Sequence, residues 1–439
     1  MRVSVPRGCG SPRRASPKGI FTYSCWYIKP LVCYNELKVR YVESSIRHNK
    51  YILKIVLRMK DFLALEPTAF GLDISDSSVK IVKLKRRGKD FDLACFGEEL
   101  IPKGIIENGE IKDEPTLVTL IKKTLAKMKG EKLKTREVIA SLPDEKTFLR
   151  VIQLPKMAPE ELAKAVLFEA ENHIPIPLKE SYFDFEVVDP IVDHLDHCDV
   201  LIVAAPQNIV DSYARVIRLA GLNPYALEIE SLSISRALIK NLITVNPVLL
   251  IDFGATRTAL IVFSGRSIRF TSLLSFASEK LTQDLASGLK ISAEEAEKIK
   301  IDYGLESKIK VQLQEKTGDF KLEKEISEDE KILNVLDSSL SQLVLEIKDF
   351  LDFYYSHQSH EHLPPTRNEI KRILISGGGA NLKGFDRYLT KKLGISTIIG
   401  NPWTNILSEP QNRIPEEYLR RSHSYAKTLG LALRGVLSE

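Results

Sequence analysis

Two short polar stretches interrupt apolar runs in different halves of the chain. One runs from Asp252 to Thr258 and the other from Asp73 to Ser78. In each, an aspartate is followed by small residues whose backbone N–H groups and hydroxyls can approach a ligand closely. Such a turn suits a phosphate, although a single turn of this kind more often belongs to an ordinary hairpin.

The two stretches also resemble each other. The sequence of residues 249–263 is LLIDFGATRTALIVF, and that of residues 70–84 is FGLDISDSSVKIVKL. They align with Asp73 over Asp252, Ser75 over Gly254, and Ser77 over Thr256. A repeated strand–turn–strand unit predicts a duplicated α/β domain that holds a polyphosphate in the cleft between its halves.

A third candidate is rich in glycine. Residues 373–389 read ILISGGGANLKGFDRYL, which predicts a buried strand, a triple glycine and a helix that opens near Asn381. Gly377 to Gly379 permit close backbone approach, and a helix start offers free N–H groups. A tight strand-to-helix connection without a ligand remains the alternative.

A fourth candidate lies on a predicted helix. Ser292 and Glu295 form a capping box at its start, and Glu297 and Lys300 follow three residues apart. This spacing places Glu297 and Lys300 on one helix face, where they would either hydrogen-bond a ribose or form a solvated ion pair.

The elements between these candidates alternate in type. A strand-rich start is followed by an amphipathic helix (115–128) and a strand (138–142), as expected for half of an α/β core. Residues 144–224 predict a small βαββα unit. A long apolar stripe predicts a helix over 336–354, and the last segment (424–437) predicts an amphipathic helix with one apolar face.

The overall charge comes mainly from the start of the chain. The net charge is +5, and residues 1–58 contribute +10 through twelve Lys/Arg against Glu36 and Glu43. The net charge of the remaining residues is therefore −5, and they show no basic surface of the kind that binds nucleic acid. No apolar run approaches the length of a membrane-spanning helix, and the few scattered cysteines suit a reducing cytoplasm.

The first 58 residues differ in composition from the rest of the chain. They lack a sustained helical or strand period, and no signal-peptide pattern is found in them. We expect them to be disordered or to precede a true translation start at Met59.

Taken together in this order, the four candidates resemble the actin-like ATPase superfamily. The stretches FGLDISDSSVKIVKL, LPKMAPEELAKAVLFEAENHIPIPL and YAKTLGLALRG resemble the PilM family of type IV pilus assembly proteins. The implied fold is α/β, a duplicated actin-like (ribonuclease H-like) ATPase core with an inserted βαββα subdomain, called SHS2 or 1C. The implied divisions are core subdomain 1A (67–143 and 225–247), 1C (144–224), 2A (248–278 and 371–414), 2B (279–370) and a terminal helix on 1A (415–439).

The resemblance also implies roles for individual residues, with ATP and Mg²⁺ as cofactors. Glu228 and Glu230 are candidates for orienting the attacking water, and Asp73 and Asp252 would face Mg²⁺ through water. Asp76 adds a like charge near the phosphates, which puts efficient hydrolysis in doubt, so we expect at most a slow ATPase. The residues implied in nucleotide binding are Asp73, Ser75, Ser77, Ser78, Lys80, Asp252, Gly254, Ala255, Thr256, Thr258, Glu297, Lys300, Gly377, Gly378 and Gly379.

The partners are likewise implied by the resemblance. The chain would be a cytoplasmic scaffold at the inner membrane, docking the N-terminal tail of a PilN-like membrane protein between 1C and 1A. Other pilus platform components and self-association are further expected contacts, and the membrane is reached only through partners. From the residues alone, the apolar segment 174–178 either receives an extended peptide or packs on its own subdomain. An FtsA-like filament protein and, third, a small-molecule kinase remain alternatives.

Overall fold

The computed structural model describes residues 69–88, 90–188, 196–305, 328–357, 369–409 and 414–437. The predictions for residues 1–58 lie outside the described residues. The strands are β1 (Phe70–Ile74), β2 (Ser78–Arg87), β3 (Asp90–Leu100), β4 (Ile106–Glu107), β5 (Glu110–Ile111), β6 (Lys129–Gly130), β7 (Glu137–Leu142), β8 (Phe148–Pro155), β9 (Ser181–Val188), β10 (His197–Pro206), β11 (Asn223–Ile229), β12 (Thr244–Phe253), β13 (Thr258–Gly265), β14 (Ser267–Leu274), β15 (Arg372–Ser376) and β16 (Ser396–Ile399). The helices are α1 (Glu114–Ala126), α2 (Pro159–His173), α3 (Gln207–Leu219), α4 (Glu230–Leu238), α5 (Ser278–Leu289), α6 (Ala293–Asp302), α7 (Glu328–Ser356), α8 (Phe385–Leu393), α9 (Glu416–Arg421) and α10 (Ala426–Leu437).

Two sheets repeat one topology. The first has the strand order β11-β7-β1-β2-β3-β6, and the second has the order β14-β13-β12-β15-β16. In each sheet, three consecutive strands form an antiparallel meander. A later strand pairs in parallel with the first strand of the meander, and a further strand pairs in parallel with that one. The predicted duplicated α/β core is therefore confirmed.

The repetition extends to the turns of the two hairpins. The Ser75 N–H donates to the Ser78 carbonyl at 3.0 Å, and the Gly254 N–H donates to the Arg257 carbonyl at 3.0 Å. These pairs are the positions that the sequence alignment superimposes, so both hairpins turn in the same way.

Helices cover the second sheet as the apolar periodicity predicts. The predicted stripe of α7 is buried, and its core residues are Leu336, Leu340, Leu343, Ile347, Phe350 and Tyr354. These side chains pack with Leu249, Ile251 and Phe253 of β12, because a sheet needs an apolar helix face to cover it. The helix after the triple glycine begins at Phe385, later than the predicted Asn381, because residues 378–381 form a short 3₁₀ turn first.

The small unit inserted after β7 has its own sheet, in which β10 lies between β8 and β9, all antiparallel. Leu162, Val166 and Ala170 on one face of α2 are buried against it. The next helix, α3, contacts α1 and β11 of the first unit as well as β9 and β10. α3 therefore lies where the insertion meets the core, and a division at residue 224 remains a prediction.

The last helix, α10, is enclosed more completely than an amphipathic helix would be. It packs on β1, β2, β7 and α4, and most of its residues are buried. Its glycines allow this, since a Cβ on Gly430 would lie 1.9 Å from the Ser233 carbonyl oxygen. The prediction of a single apolar face was wrong here, because this helix packs into the first unit on more than one side.

In the part of the chain that the structure describes, no helix is both long and apolar enough to cross a bilayer.

Candidate functional site

Two aspartates occupy equivalent places at the ends of β1 and β12. Asp73 Oδ1 accepts a hydrogen bond from the Ser141 hydroxyl on β7 at 3.0 Å. Asp252 Oδ1 accepts one from the Ser376 hydroxyl on β15 at 3.0 Å. Both serines lie on the strand that pairs in parallel with the aspartate's own strand. The duplication therefore produces two buried, oriented carboxylates.

A buried lysine from α10 joins the two halves. Lys427 Nζ lies 3.6 Å from Asp252 Oδ2 and 3.4 Å from Glu230 Oε1. Burial alone would lower the pKa of Lys427, but the carboxylates of Glu230, Asp73 and Asp252 raise it above its usual value. The side chain therefore carries a positive charge. Burial raises the pKa of Asp73, and the charge on Lys427 partly offsets that rise.

The tips of the two hairpins are connected by Arg257. Its Nη1 donates to Asp76 Oδ2 at 3.2 Å and also pairs with Glu145, while its Nη2 donates to Glu230 Oε1 at 3.3 Å. The Thr256 hydroxyl adds a bond to Asp76 Oδ2 at 3.3 Å. Asp76 thus turns toward the second hairpin, so its charge is partly neutralised there.

Two carboxyl groups near Arg257, those of Asp144 and Glu145, have raised pKa values. Burial raises the pKa of Glu145 to about 7 despite the opposing effect of Arg257. Burial and Glu230 likewise raise the pKa of Asp144 to about 7. The junction of the halves therefore contains buried carboxyl groups that bind a proton more readily than exposed ones do.

The remaining residues predicted at the first turn lie together. Ser75 Oγ is 3.3 Å from Ser78 Oγ, and Lys80 Nζ donates to Ser78 Oγ at 3.0 Å. Lys80 also lies 3.5 Å from Glu98. The carbonyl of Ser77 accepts from Ile101 N, and the side chain of Ser77 is partly exposed.

The second turn separates into accessible and enclosed residues. Thr256 is exposed, and Gly254 and Ala255 are partly exposed. The carbonyls of Gly254 and Ala255 accept hydrogen bonds from the first N–H groups of α5. Thr258, by contrast, is fully buried and donates to the Phe276 carbonyl at 2.6 Å. Thr258 therefore supports the turn from inside.

The triple glycine lies directly against the second hairpin. A Cβ on Gly377 would lie 2.5 Å from the Phe253 carbonyl oxygen, and one on Gly379 would lie 2.5 Å from the Phe253 ring. Gly378 is exposed, and a Cβ there would meet nothing within 4 Å. Packing thus accounts for two of the glycines, and Gly378 leaves its backbone open to a ligand.

The Glu297–Lys300 pair is an ion pair of 2.7 Å whose members differ in exposure. Lys300 is buried and donates to the Ser278 carbonyl, the Ser278 hydroxyl and the Thr282 hydroxyl of α5. Glu297 is about half exposed. In this arrangement, Lys300 fixes α6 on α5, and Glu297 has the freer side chain.

The two candidates for orienting water are placed differently. Glu230 belongs to the cluster around Lys427 and Arg257, which lower its pKa although burial alone would raise it. Glu228 is buried between Arg236, which donates to it at 2.6 Å, and Arg434. The structure therefore does not bring Glu228 to the carboxylates of the hairpins.

Sequence reasoning missed four residues of this site: Ser141, Arg257, Ser376 and Lys427. The two serines lie near the ends of strands and have no local motif. Lys427 within the largely apolar YAKTLGLALRG was an available signal, since a charge inside a buried helix is rarely without a partner.

The arrangement fits the phosphates of a nucleotide better than it fits a separate metal ion. Hydroxyls of Ser75 and Thr256 and the Gly378 backbone are accessible to phosphate oxygens. Asp73 Oδ2, by contrast, is a buried acceptor with no hydrogen-bond partner among the described residues, and it suits a donor or a cation rather than a phosphate oxygen. The position next to both aspartates, however, is already reached by the ammonium of Lys427. A dication held there would be repelled by that charge.

Three solved structures are similar to this chain to different degrees. A PilM–PilN type IV pilus biogenesis complex is 26% identical, with a TM-score of 0.66 over 84% of this chain and 98% of that chain. EutJ from Carboxydothermus hydrogenoformans, an ethanolamine utilization protein, is 15% identical, with a TM-score of 0.46 over 86% of this chain and 96% of that chain. MreB 5 of Spiroplasma citri bound to AMPPNP is 15% identical, with a TM-score of 0.46 over 84% and 94%.

Family models assign the chain. The model described as cell division protein FtsA matches residues 249–430, which cover the second half of the chain and the first turn of α10. The model described as type IV pilus assembly protein PilM matches residues 71–315, more than half of the chain, and spans the first unit, the insertion and the second hairpin. The resemblance predicted from the sequence is confirmed, and the chain belongs to the PilM family of type IV pilus assembly proteins.

Proposed function

We propose that this protein is an ATP-binding scaffold of a type IV pilus assembly platform, located in the cytoplasm beside the inner membrane. The observation that carries the nucleotide part is the pair of Asp–Ser units, Asp73 with Ser141 and Asp252 with Ser376, which face a common cation from opposite halves. Two equivalent turns on opposite walls of a cleft can hold the two sides of a polyphosphate.

In this proposal the first turn binds phosphate oxygens through Ser75, Ser77 and Lys80. The second turn contributes the Thr256 hydroxyl and the amides of Gly254 and Ala255. Adenosine lies against Gly378 and the exposed side of Glu297. Mg²⁺ arrives as part of the Mg·ATP complex, in which it neutralises phosphate charge beside the acidic junction.

Hydrolysis is slow in this proposal. A general base works best when its pKa lies near the working pH. Lys427 and Arg257 hold the pKa of Glu230 below its usual value, and both occupy its carboxylate. Glu230 is therefore a weak base for an attacking water, and the protein acts as a nucleotide-dependent strut.

A PilN-like membrane protein is the proposed partner, docked by its N-terminal tail beside the insertion. Ile174 packs into the core of the insertion, and Ile176 and Leu178 pack against that core. The apolar side chains that α2 leaves exposed are Leu167 and Phe168. We therefore place the peptide against the surface that includes these two residues, where an apolar tail would cover them.

Calorimetry on the full chain tests the nucleotide part. Mg·ATP should bind the wild type, and Lys80→Met, which removes the cation that this proposal places on the phosphates, should weaken binding about tenfold, or about 1.4 kcal/mol. Lys83→Met, at a partly buried lysine that donates to the Ala69 carbonyl, is the matched control and should bind as the wild type does. Absence of any binding heat from the folded wild type would refute the proposal.

A further inference from the structure

Lys427 occupies an unusual position for a lysine. Its side chain is 14% exposed and faces Glu230 and Asp252 at 3.4 and 3.6 Å, and its charge also acts on Asp73. These carboxylates come from both units of the core, so one ammonium neutralises acidic groups on both walls of the cleft. Buried carboxylates need such a partner or a metal ion, because an unpaired buried charge is strongly unfavourable.

The backbone around Lys427 prevents the side chain from being withdrawn with its helix. A Cβ on Gly71 would lie 2.5 Å from the Thr428 carbonyl oxygen, so β1 packs tightly on α10 next to Lys427. On another side, Gly430 approaches the Ser233 carbonyl even more closely, since a Cβ there would lie 1.9 Å from that oxygen. Moving α10 away would break both contacts, so the ammonium is held at the carboxylates by the fold itself.

We propose that the ammonium of Lys427 is the resident cation of this cleft and stands where Asp73 and Asp252 would otherwise face a divalent ion. The site therefore does not hold a metal ion of its own. This inference concerns the same cleft as the proposed function. Only one consequence of it rests on that function, namely that the aspartates do not share the Mg²⁺ of a bound nucleotide.

The test uses Mn²⁺ alone as the probe and needs no nucleotide. Free Mn²⁺ is followed by its electron paramagnetic resonance signal while the full-length chain is added. The wild type should not take up Mn²⁺ through these aspartates. Lys427→Met has nearly the same length without the charge, and it should gain one Mn²⁺ site at least about tenfold tighter than any wild-type binding.

Two further variants locate the effect. Lys83→Met removes a partly buried lysine that donates to the Ala69 carbonyl outside the cleft, and it should gain no site. Lys427→Met combined with Asp252→Asn should lose the new site again. A folded Lys427→Met variant without a new site would overturn the inference.

The wild type decides the question if Lys427→Met fails to fold. A wild-type Mn²⁺ site that disappears in Asp252→Asn overturns the inference, whereas no such site supports it. Calorimetry with ATP separates this result from the proposed function. A chain that binds ATP and also takes Mn²⁺ through the aspartates contradicts only the inference, and a chain that binds neither contradicts only the proposed function.

Discussion

Buried acidic side chains meet Arg257 at the junction of the two hairpins. Asp144 accepts hydrogen bonds from the Ser231 hydroxyl at 2.9 Å and from the Ser231 N–H at 3.3 Å, while Arg257 is shared among Asp76, Glu145 and Glu230. One guanidinium cannot neutralise all of these carboxylates. Burial, and after it the charge of Glu230, disfavour the ionised form of Asp144, which explains why the pKa of this carboxyl is raised.

Replacing Asp144 should therefore change how stability depends on pH. The pKa of this carboxyl is about 7 in the folded chain and 3.8 in its ordinary state, so the folded state binds the extra proton between these values. The contribution of this group to the free energy of unfolding is fully present below its unfolded pKa and is lost as pH rises toward about 7. Asp144→Asn should become more stable relative to wild type across that window, by at least about 1.4 kcal/mol, the equivalent of one pKa unit.

Urea unfolding at several pH values measures this difference. The pKa of Glu145 is also raised to about 7, so part of the pH dependence should persist in Asp144→Asn. Asp302→Asn, at an exposed position, reports the effect of losing a surface carboxylate. A constant difference between Asp144→Asn and wild type from about pH 5 to pH 7 would contradict the assignment.

Individual site residues were predictable where a local motif marks them. Asp73 and Asp252 end strands before small polar turns, and that pattern can be read within one hairpin. Lys427 could not be assigned in this way, because its partners lie on two hairpins and on α4, far away in sequence. Sequence spacing reports neighbours along the chain, whereas this cluster exists only after the two units close around α10.

At the level of elements, the period of the apolar residues predicted the helices and strands that bury only one face. The stripe of α7 and the paired hairpins were readable because an apolar repeat of fixed period identifies a helix or strand. For α10 the same reasoning gave one apolar face, but the structure buries Thr428, Gly430 and Gly435 as well. Small residues give no hydrophobic signal, although they are what permits helix and strand to approach closely.

The close packing of α10 leads to a prediction for Gly430. A Cβ at this position would lie 1.9 Å from the Ser233 carbonyl oxygen, so Gly430→Ala should destabilise the protein by about 2–3 kcal/mol. Alanine is better than glycine in a helix interior by about 1 kcal/mol, so helix propensity alone predicts the opposite sign. Chemical denaturation measures the difference.

Gly378→Ala is the control for that measurement. A Cβ there would meet nothing within 4 Å, so stability should change by no more than about 0.5 kcal/mol. Equal stability of Gly430→Ala and wild type would mean that α10 and α4 are not packed as described.

At the scale of the whole molecule, the insertion contacts both units of the core. It continues from β7 of the first sheet, and β8 also lies against β14 of the second sheet. Arg269 on β14 forms an ion pair with Asp199 on β10. A change in the angle between the units therefore acts on the insertion from two sides, which gives a physical route between the cleft and the proposed peptide surface.

The ion pair between Arg269 and Asp199 provides a test of that route. If ATP closes the cleft, the affinity for a PilN-like tail peptide should change about five- to tenfold between the ATP-bound and the nucleotide-free protein. Arg269→Gln removes the charged link between β14 and β10, so this change in peptide affinity should fall to about twofold or less, while ATP affinity itself is retained.

Arg215→Gln is the matched control, because Arg215 pairs with Glu114 at 2.7 Å without involving the second unit. Fluorescence anisotropy of a labelled peptide measures both affinities. An Arg269→Gln variant that responds to ATP as fully as the Arg215→Gln control would show that the coupling does not pass through this contact. Equal peptide affinities with and without ATP in the wild type would show that there is no coupling at all.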